Sequence, residues 1–215
     1  MSDEFKISLA QLNATVGDLS GNTQKVMEAW EIARDQRSDL IAFPELFITG
    51  YNPQDLILKT AFQKAATSSI DQIAKACAQG PAIAIGGPFY DENKLYNSYY
   101  ILADGKIQAV IKKHHLPNEE VFDEVRLFSS GNVDGPFQIG KMRIGSPICE
   151  DAWHTDIVET LAETGAQTLL VPNGSPYYRG KTDIRQNVMV SMVVESGLPL
   201  LYLNLVGGQD DQVFD

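Results

Sequence analysis

The 215-residue chain is predicted to fold as a layered α/β domain on mixed sheets, and three observations carry that prediction. Short apolar runs alternate with amphipathic helical segments at both ends of the chain, which is the pattern of parallel strands joined by helices. Between them, LYNSYYILA and KIQAVIKKHHL flank Asp104-Gly105, a pair that tolerates the positive φ of a two-residue hairpin turn. Charged residues are 21% and hydrophobic residues 44%, so the chain can bury a core and is neither disordered nor fibrous. With no linker, repeat or low-complexity segment, residues 1–215 read as one domain.

The elements follow in order. KISLAQLN (6–13) alternates Ile7 and Leu9 with polar neighbours and reads as a strand with that face inward. From Ser20 to Arg37, Val26, Ala29, Trp30 and Ala33 recur at helical spacing. LIAFPE (40–45) is a buried strand stopped by Pro44, which puts Glu45 at its C-terminal edge. Residues Gln54–Gln79 are helical with Leu56, Phe62, Ile70, Ile73 and Ala74 inward, and Gly80-Pro81 ends them. AIAIGG is a third strand, and the hairpin follows with Lys113 closing its second arm. KMRIGSPIC is read as a strand running up to Cys149, and TLLVPN and LPLLYLN as two more. Helices at Asp156–Thr164 and Asp183–Ser196 separate them. The final VGGQDDQVFD is read as ending without a closing strand, as though a longer natural chain continued.

Charge and cysteine content narrow the function. Seventeen basic against 28 acidic residues give a net charge of −11, which repels phosphate backbones and acidic headgroups, so neither nucleic acid nor membrane is an expected partner. The start is not signal-like and no apolar run could span a bilayer, which points to a cytoplasmic protein. Cys77 and Cys149 are too few for a disulfide framework or a four-cysteine zinc site.

A carboxylate, an ammonium and a thiol stand at predicted strand ends: Glu45 in FPELFITGY, Lys113 in IKKHHLPN and Cys149 in PICEDAW. Strand ends on one sheet edge converge. Gathered there, the thiol can attack, the carboxylate can move protons and the ammonium can hold an oxyanion.

The blocks FPELFITGY, Lys113-x-x-Leu-Pro-Asn and CEDAW, in that order, resemble the signatures of the nitrilase, or carbon–nitrogen hydrolase, family. Within it, residues 52–56 (NPQDL), 116–124 (LPNEEVFDE) and 204–211 (NLVGGQDD) are similar to the glutaminase domains of glutamine-dependent NAD synthetases. The resemblance implies a four-layer α-β-β-α sandwich that continues past residue 215, and oligomers built from such sandwiches. It implies Glu45 as general base, Lys113 as oxyanion stabiliser, Cys149 as nucleophile and Glu124 as a second glutamate supporting the lysine. Glutamine would be hydrolysed through a thioester, and its ammonia passed to a synthetase domain that amidates nicotinic acid adenine dinucleotide. No metal or organic cofactor is implied for the amidase half, whereas ATP and Mg would serve the synthetase. The implied substrate contacts are Glu150, Phe122, Ser175 and Lys181, with Glu119 standing where the family carries an aromatic residue. The competing readings are a stand-alone amidase for another small amide and a non-catalytic assembly fragment.

Other signals fail. GSPYYRGKT (174–182) has five residues between its glycines, one too many for a phosphate loop. His114, His115 and His154 have no zinc-ligand spacing, and adjacent histidines in a strand would point to opposite faces. Cys77, in an Ala-rich helical stretch, reads as a buried structural thiol. No G-x-S-x-G supplies a serine nucleophile.

Overall fold

The computed structural model describes residues 4–119 and 121–215. Its strands are β1 (Ile7–Leu9), β2 (Leu40–Ala42), β3 (Ala82–Asp91), β4 (Lys94–Ala103), β5 (Lys106–Lys112), β6 (Phe137–Ile139), β7 (Met142–Gly145), β8 (Thr168–Asn173), β9 (Leu200–Asn204), β10 (Gly207–Gln209) and β11 (Gln212–Phe214). The helices are α1 (Leu19–Asp35), α2 (Thr60–Ala76), the single turn α3 (Glu124–Leu127), α4 (Thr155–Glu163) and α5 (Lys181–Ser196), with 3-10 segments at Gln54–Leu58 and Cys149–Trp153.

Two mixed sheets form. One has the order β1-β2-β3-β4-β5, parallel through β3 and antiparallel beyond it. The other has the order β6-β7-β8-β9, antiparallel at β6 and parallel thereafter. Leu40, Ala42, Ala84, Tyr99 and Ile101 of the first sheet meet Phe137, Ile144, Leu170 and Leu203 of the second in one buried cluster. The strands alternate faces, so Ile41, Ile83 and Ile85 turn the other way and pack on Val26, Trp30 and Ala33 of α1 and Ile70 and Ile73 of α2. Leu169 likewise turns away from the interface to meet Ile157, Leu161 and Met192 of α4 and α5. The result is the four-layer α-β-β-α sandwich that the family resemblance implies.

Each layer has local causes. Asp18 caps α1 by accepting from Gly21 N at 2.9 Å, which uses one of the otherwise unpaired donors of the first turn. At the 104–105 turn Asp104 has φ 53° and Gly105 φ 78°, the two positive angles that a tight hairpin needs.

Several expectations need correction. The third strand runs ten residues, through Gly86, Gly87 and Pro88 to Asp91, and hairpins into β4 over Glu92 (φ 47°) and Asn93 (φ 63°). Pro88 is tolerated because β2 pairs only as far as Ala84, leaving that side of β3 without a strand neighbour. Leu9 is 41% exposed rather than inward, since β1 is a three-residue edge strand. Leu56 is also exposed, in a 3-10 turn that precedes α2. The strand approaching Cys149 stops at Gly145, and the chain passes Pro147, which has no N–H for a ladder, before Cys149 opens a 3-10 turn. The last segment does pair, as the β10-β11 hairpin.

Candidate active site

Parallel strands of both sheets deliver their following loops to one end of the sandwich. After β2, the segment Phe43–Gly50 folds back over β3: Gly86 N donates to Pro44 O at 3.3 Å and Ile48 N to Gly86 O at 3.1 Å. A side chain at 86 would put its Cβ 2.1 Å from Leu46 N, so only glycine lets the Glu45 loop lie this close. From the opposite sheet, the turn after β8 donates Gly174 N to Glu45 Oε2 at 2.8 Å. Glu45 is thereby pinned by groups from both sheets.

Lys113 follows β5 directly, its N–H donating to Asn97 O at 2.9 Å. Its ammonium is fully buried, 2.6 Å from Glu45 Oε1 and 2.9 Å from the Glu124 carboxylate. Glu124 opens α3 and accepts a further hydrogen bond from Tyr51 OH at 3.0 Å. Asn97 Nδ2 donates to Glu45 Oε1 at 2.8 Å and to Glu124 Oε2 at 3.4 Å, holding the two carboxylates together. Isolated, each of these charges would be costly to bury; the ammonium between two carboxylates makes the cluster tenable.

Electrostatics divide the roles. Burial opposes the charge on Lys113, but Glu124 and Glu45 together hold its pKa well above the ordinary lysine value. Burial raises Glu124 to about 7, against the pull of Lys113. Burial and the negative charge of Glu45 push the Cys149 thiol well above its usual value, with Lys113 acting in the opposite direction. A resting thiol in this position therefore keeps its proton. Cys149 is 4% exposed and holds φ 48°, a left-handed conformation that costs an L-residue about 1–2 kcal/mol.

Asp151 supports this turn and was not singled out from sequence. It is buried and accepts from His115 N at 2.7 Å, His114 N at 3.1 Å and Ile148 N at 3.2 Å, which ties the chain after Lys113 to the chain before Cys149. Tyr51 and Asn97 were missed as well. A tyrosine within FPELFITGY and an asparagine inside an apolar strand carry no signal of their partners until the fold brings Glu124 near them.

A cavity of about 670 Å³ adjoins the cluster, with Glu119, Phe122, Glu150, Trp153 and Lys181 in its wall. Glu150 is bonded to Cys149, and the Phe122 ring lies 6.5 Å from that of Tyr51, so the cavity and the buried cluster share a boundary. Lys181 stacks its ammonium 5.0 Å over Trp153 and 4.8 Å over Tyr178. Four of the five predicted substrate contacts thus line one space. Ser175 does not: it is buried, with Oγ accepting from Arg185 Nε at 3.2 Å and N donating to Asn204 Oδ1 at 2.9 Å. In the GSPYYRGKT segment, Tyr178 and Lys181 line the cavity. Cys77 is a buried C-cap of α2, 3.6 Å from the Met27 sulfur. The histidine expectation fails in one respect. β5 ends at Lys112, so residues 114 and 115 do not alternate as in a strand and their rings meet edge to face at 4.7 Å.

Buried thiol, carboxylate and ammonium at one end of an α-β-β-α sandwich define a class of cysteine-dependent carbon–nitrogen hydrolases. The carbon–nitrogen hydrolase family model matches residues 6–214, and the chain belongs to that family. It is 53% identical over its whole length to the glutamine-dependent NAD(+) synthetase of Rhodobacter capsulatus, covering 39% of that protein. It superimposes with a TM-score of 0.93, at 36% identity, on the glutamine-dependent NAD+ synthetase structure from Acinetobacter baumannii in complex with ADP, over 98% of this chain and 40% of the other. An amidase structure from Nesterenkonia sp. matches with a TM-score of 0.85 and 26% identity, over 98% of this chain and 80% of the amidase. The chain spans about two fifths of the length of the synthetases it matches.

Proposed function

We propose that residues 1–215 form the glutamine-hydrolysing domain of a glutamine-dependent NAD synthetase, with the synthetase domain and its ATP and Mg chemistry on further chain. The observation that carries the reading is the buried Glu45–Lys113–Glu124 cluster around Cys149, within a chain 53% identical to such a synthetase. Glu45 takes the thiol proton and the thiolate attacks the glutamine side-chain amide carbon. Lys113 and a backbone N–H after Cys149 stabilise the oxyanion. The proton moves from Glu45 to the amide nitrogen, the C–N bond breaks, and ammonia leaves a glutamyl thioester. Glu45 then takes a proton from water, the hydroxide displaces the thiolate, and glutamate is released. Thiol, carboxylate and ammonium supply every step, so this half needs no cofactor.

Glu150 and Lys181 give the cavity one anionic and one cationic side chain, a fit to the α-ammonium and α-carboxylate of free glutamine. Glu119 adds a second carboxylate where the family carries an aromatic residue. On α5, Val190, Val193 and Val194 share an exposed apolar face at 60%, 37% and 76% exposure, which supports assembly with a second copy of the chain. No described helix is long and apolar enough to cross a membrane.

Ammonia release from glutamine, compared with asparagine and simple aliphatic amides, tests the reading. Release that favours glutamine and disappears in Cys149→Ala is expected. Preference for an aliphatic amide would transfer the chain to the stand-alone amidases, a reading that the 80% coverage of the Nesterenkonia amidase favours. No hydrolysis of any amide, with Cys149 unlabelled by a glutamine-like electrophile, would leave only an assembly role.

A further inference from the structure

Just outside the catalytic cluster, His114, His115 and Asp156 bring one ligand atom each to within 4.8 Å of one another. We infer that these three side chains form a binding site for a divalent transition metal ion of the zinc type at the rim of the cavity. His115 Nε2 lies 3.2 Å from both oxygens of Asp156. Two atoms each about 2.0–2.1 Å from a tetrahedral zinc ion stand about 3.3 Å apart, so this pair already has the required separation. His114 Nδ1 is 2.7 Å from Gly131 O. A carbonyl only accepts, so Nδ1 carries the hydrogen and Nε2 keeps its lone pair for a metal, the arrangement by which ligating histidines are usually oriented.

The surroundings hold the rings in place before any ion arrives. Asp151 accepts the backbone N–H of both histidines. His154 stacks on His115 with centroids 3.8 Å apart and an interplanar angle of 20°, fixing the ring plane, while its own Nε2 faces Glu150 Oε1 at 3.4 Å. The mixed nitrogen and oxygen donor set suits zinc rather than magnesium or calcium, and the net charge of −11 favours cation binding. His115 also lines the cavity, so an ion there shares a side chain with the cavity wall. None of this depends on which amide is hydrolysed.

Titration of Zn²⁺ into the Cys149→Ala chain, which removes the active-site thiol as a competing ligand, should show saturable heat of binding. Adding His115→Ala or Asp156→Asn is expected to weaken the affinity about tenfold or more. Metal-free unfolding temperatures check that each variant folds, and His114→Ala provides a third arm should His115→Ala not fold. Absence of binding in the parent chain, or affinity unchanged in His114→Ala and Asp156→Asn, would overturn the site.

Discussion

Cys149 is a poor nucleophile as it rests, because burial and the neighbouring Glu45 raise the pKa of its thiol. The role of nucleophile proposed for Cys149 therefore requires a base to take its proton. Glu45→Gln is expected to lower kcat for glutamine by about 10²–10⁴-fold, read as loss of thioester formation in single-turnover assays. Glu124 allows a pH test. Its pKa lies at about 7 in the folded state against an ordinary 4.5, so the proton it retains favours the folded state below 4.5. That contribution fades as pH rises through 7. The unfolding temperature of this chain should therefore fall relative to that of Glu124→Gln, which does not titrate, between pH 5 and pH 8, and a constant difference would refute the raised value. Asp151→Asn removes part of an acceptor for three backbone N–H groups and should lower turnover by up to about 10²-fold through misplacement of Lys113 and Cys149.

Among the elements, the β3-β4 hairpin does more for the site than its sequence advertises. Its Gly86 admits the loop that carries Glu45, and its second strand supplies Asn97. Gly86→Ala should destabilise the fold by about 1–3 kcal/mol or more, measured by denaturant unfolding, because the atoms in the way are backbone. Elements with strong periodic signals were legible: TLLVPN is β8 residue for residue, and the periodicities of α1 and α5 locate those helices to within two residues. The three-residue β6 and the four-residue α3 were not, since so short a segment carries no period. Glu124 was placed by resemblance alone, and its helical turn by none of the local signals.

At the scale of the whole molecule, stability rests on the interface between the sheets, where Leu170 is fully buried and Cys149 borders the same cluster. Leu170→Ala should cost about 2–5 kcal/mol in chemical unfolding. Assembly through the exposed face of α5, as proposed, predicts that Val194→Glu shifts light-scattering mass toward the monomer with little loss of monomer stability. The sequence by itself located the long helices and most of the strands, through their hydrophobic periodicity, and the hairpin turn, through Asp104-Gly105. Motif spacing and the family resemblance also singled out Glu45, Lys113 and Cys149 as candidates, since a motif is a local property of the chain. Only the tertiary structure decided that Asn97, Tyr51, Gly174 and Asp151 hold those three, and that His114 and His115 face Asp156. Contacts of this kind join residues 27 to 129 positions apart, or depend on a left-handed backbone at Cys149, and no local pattern encodes where two sheets will meet.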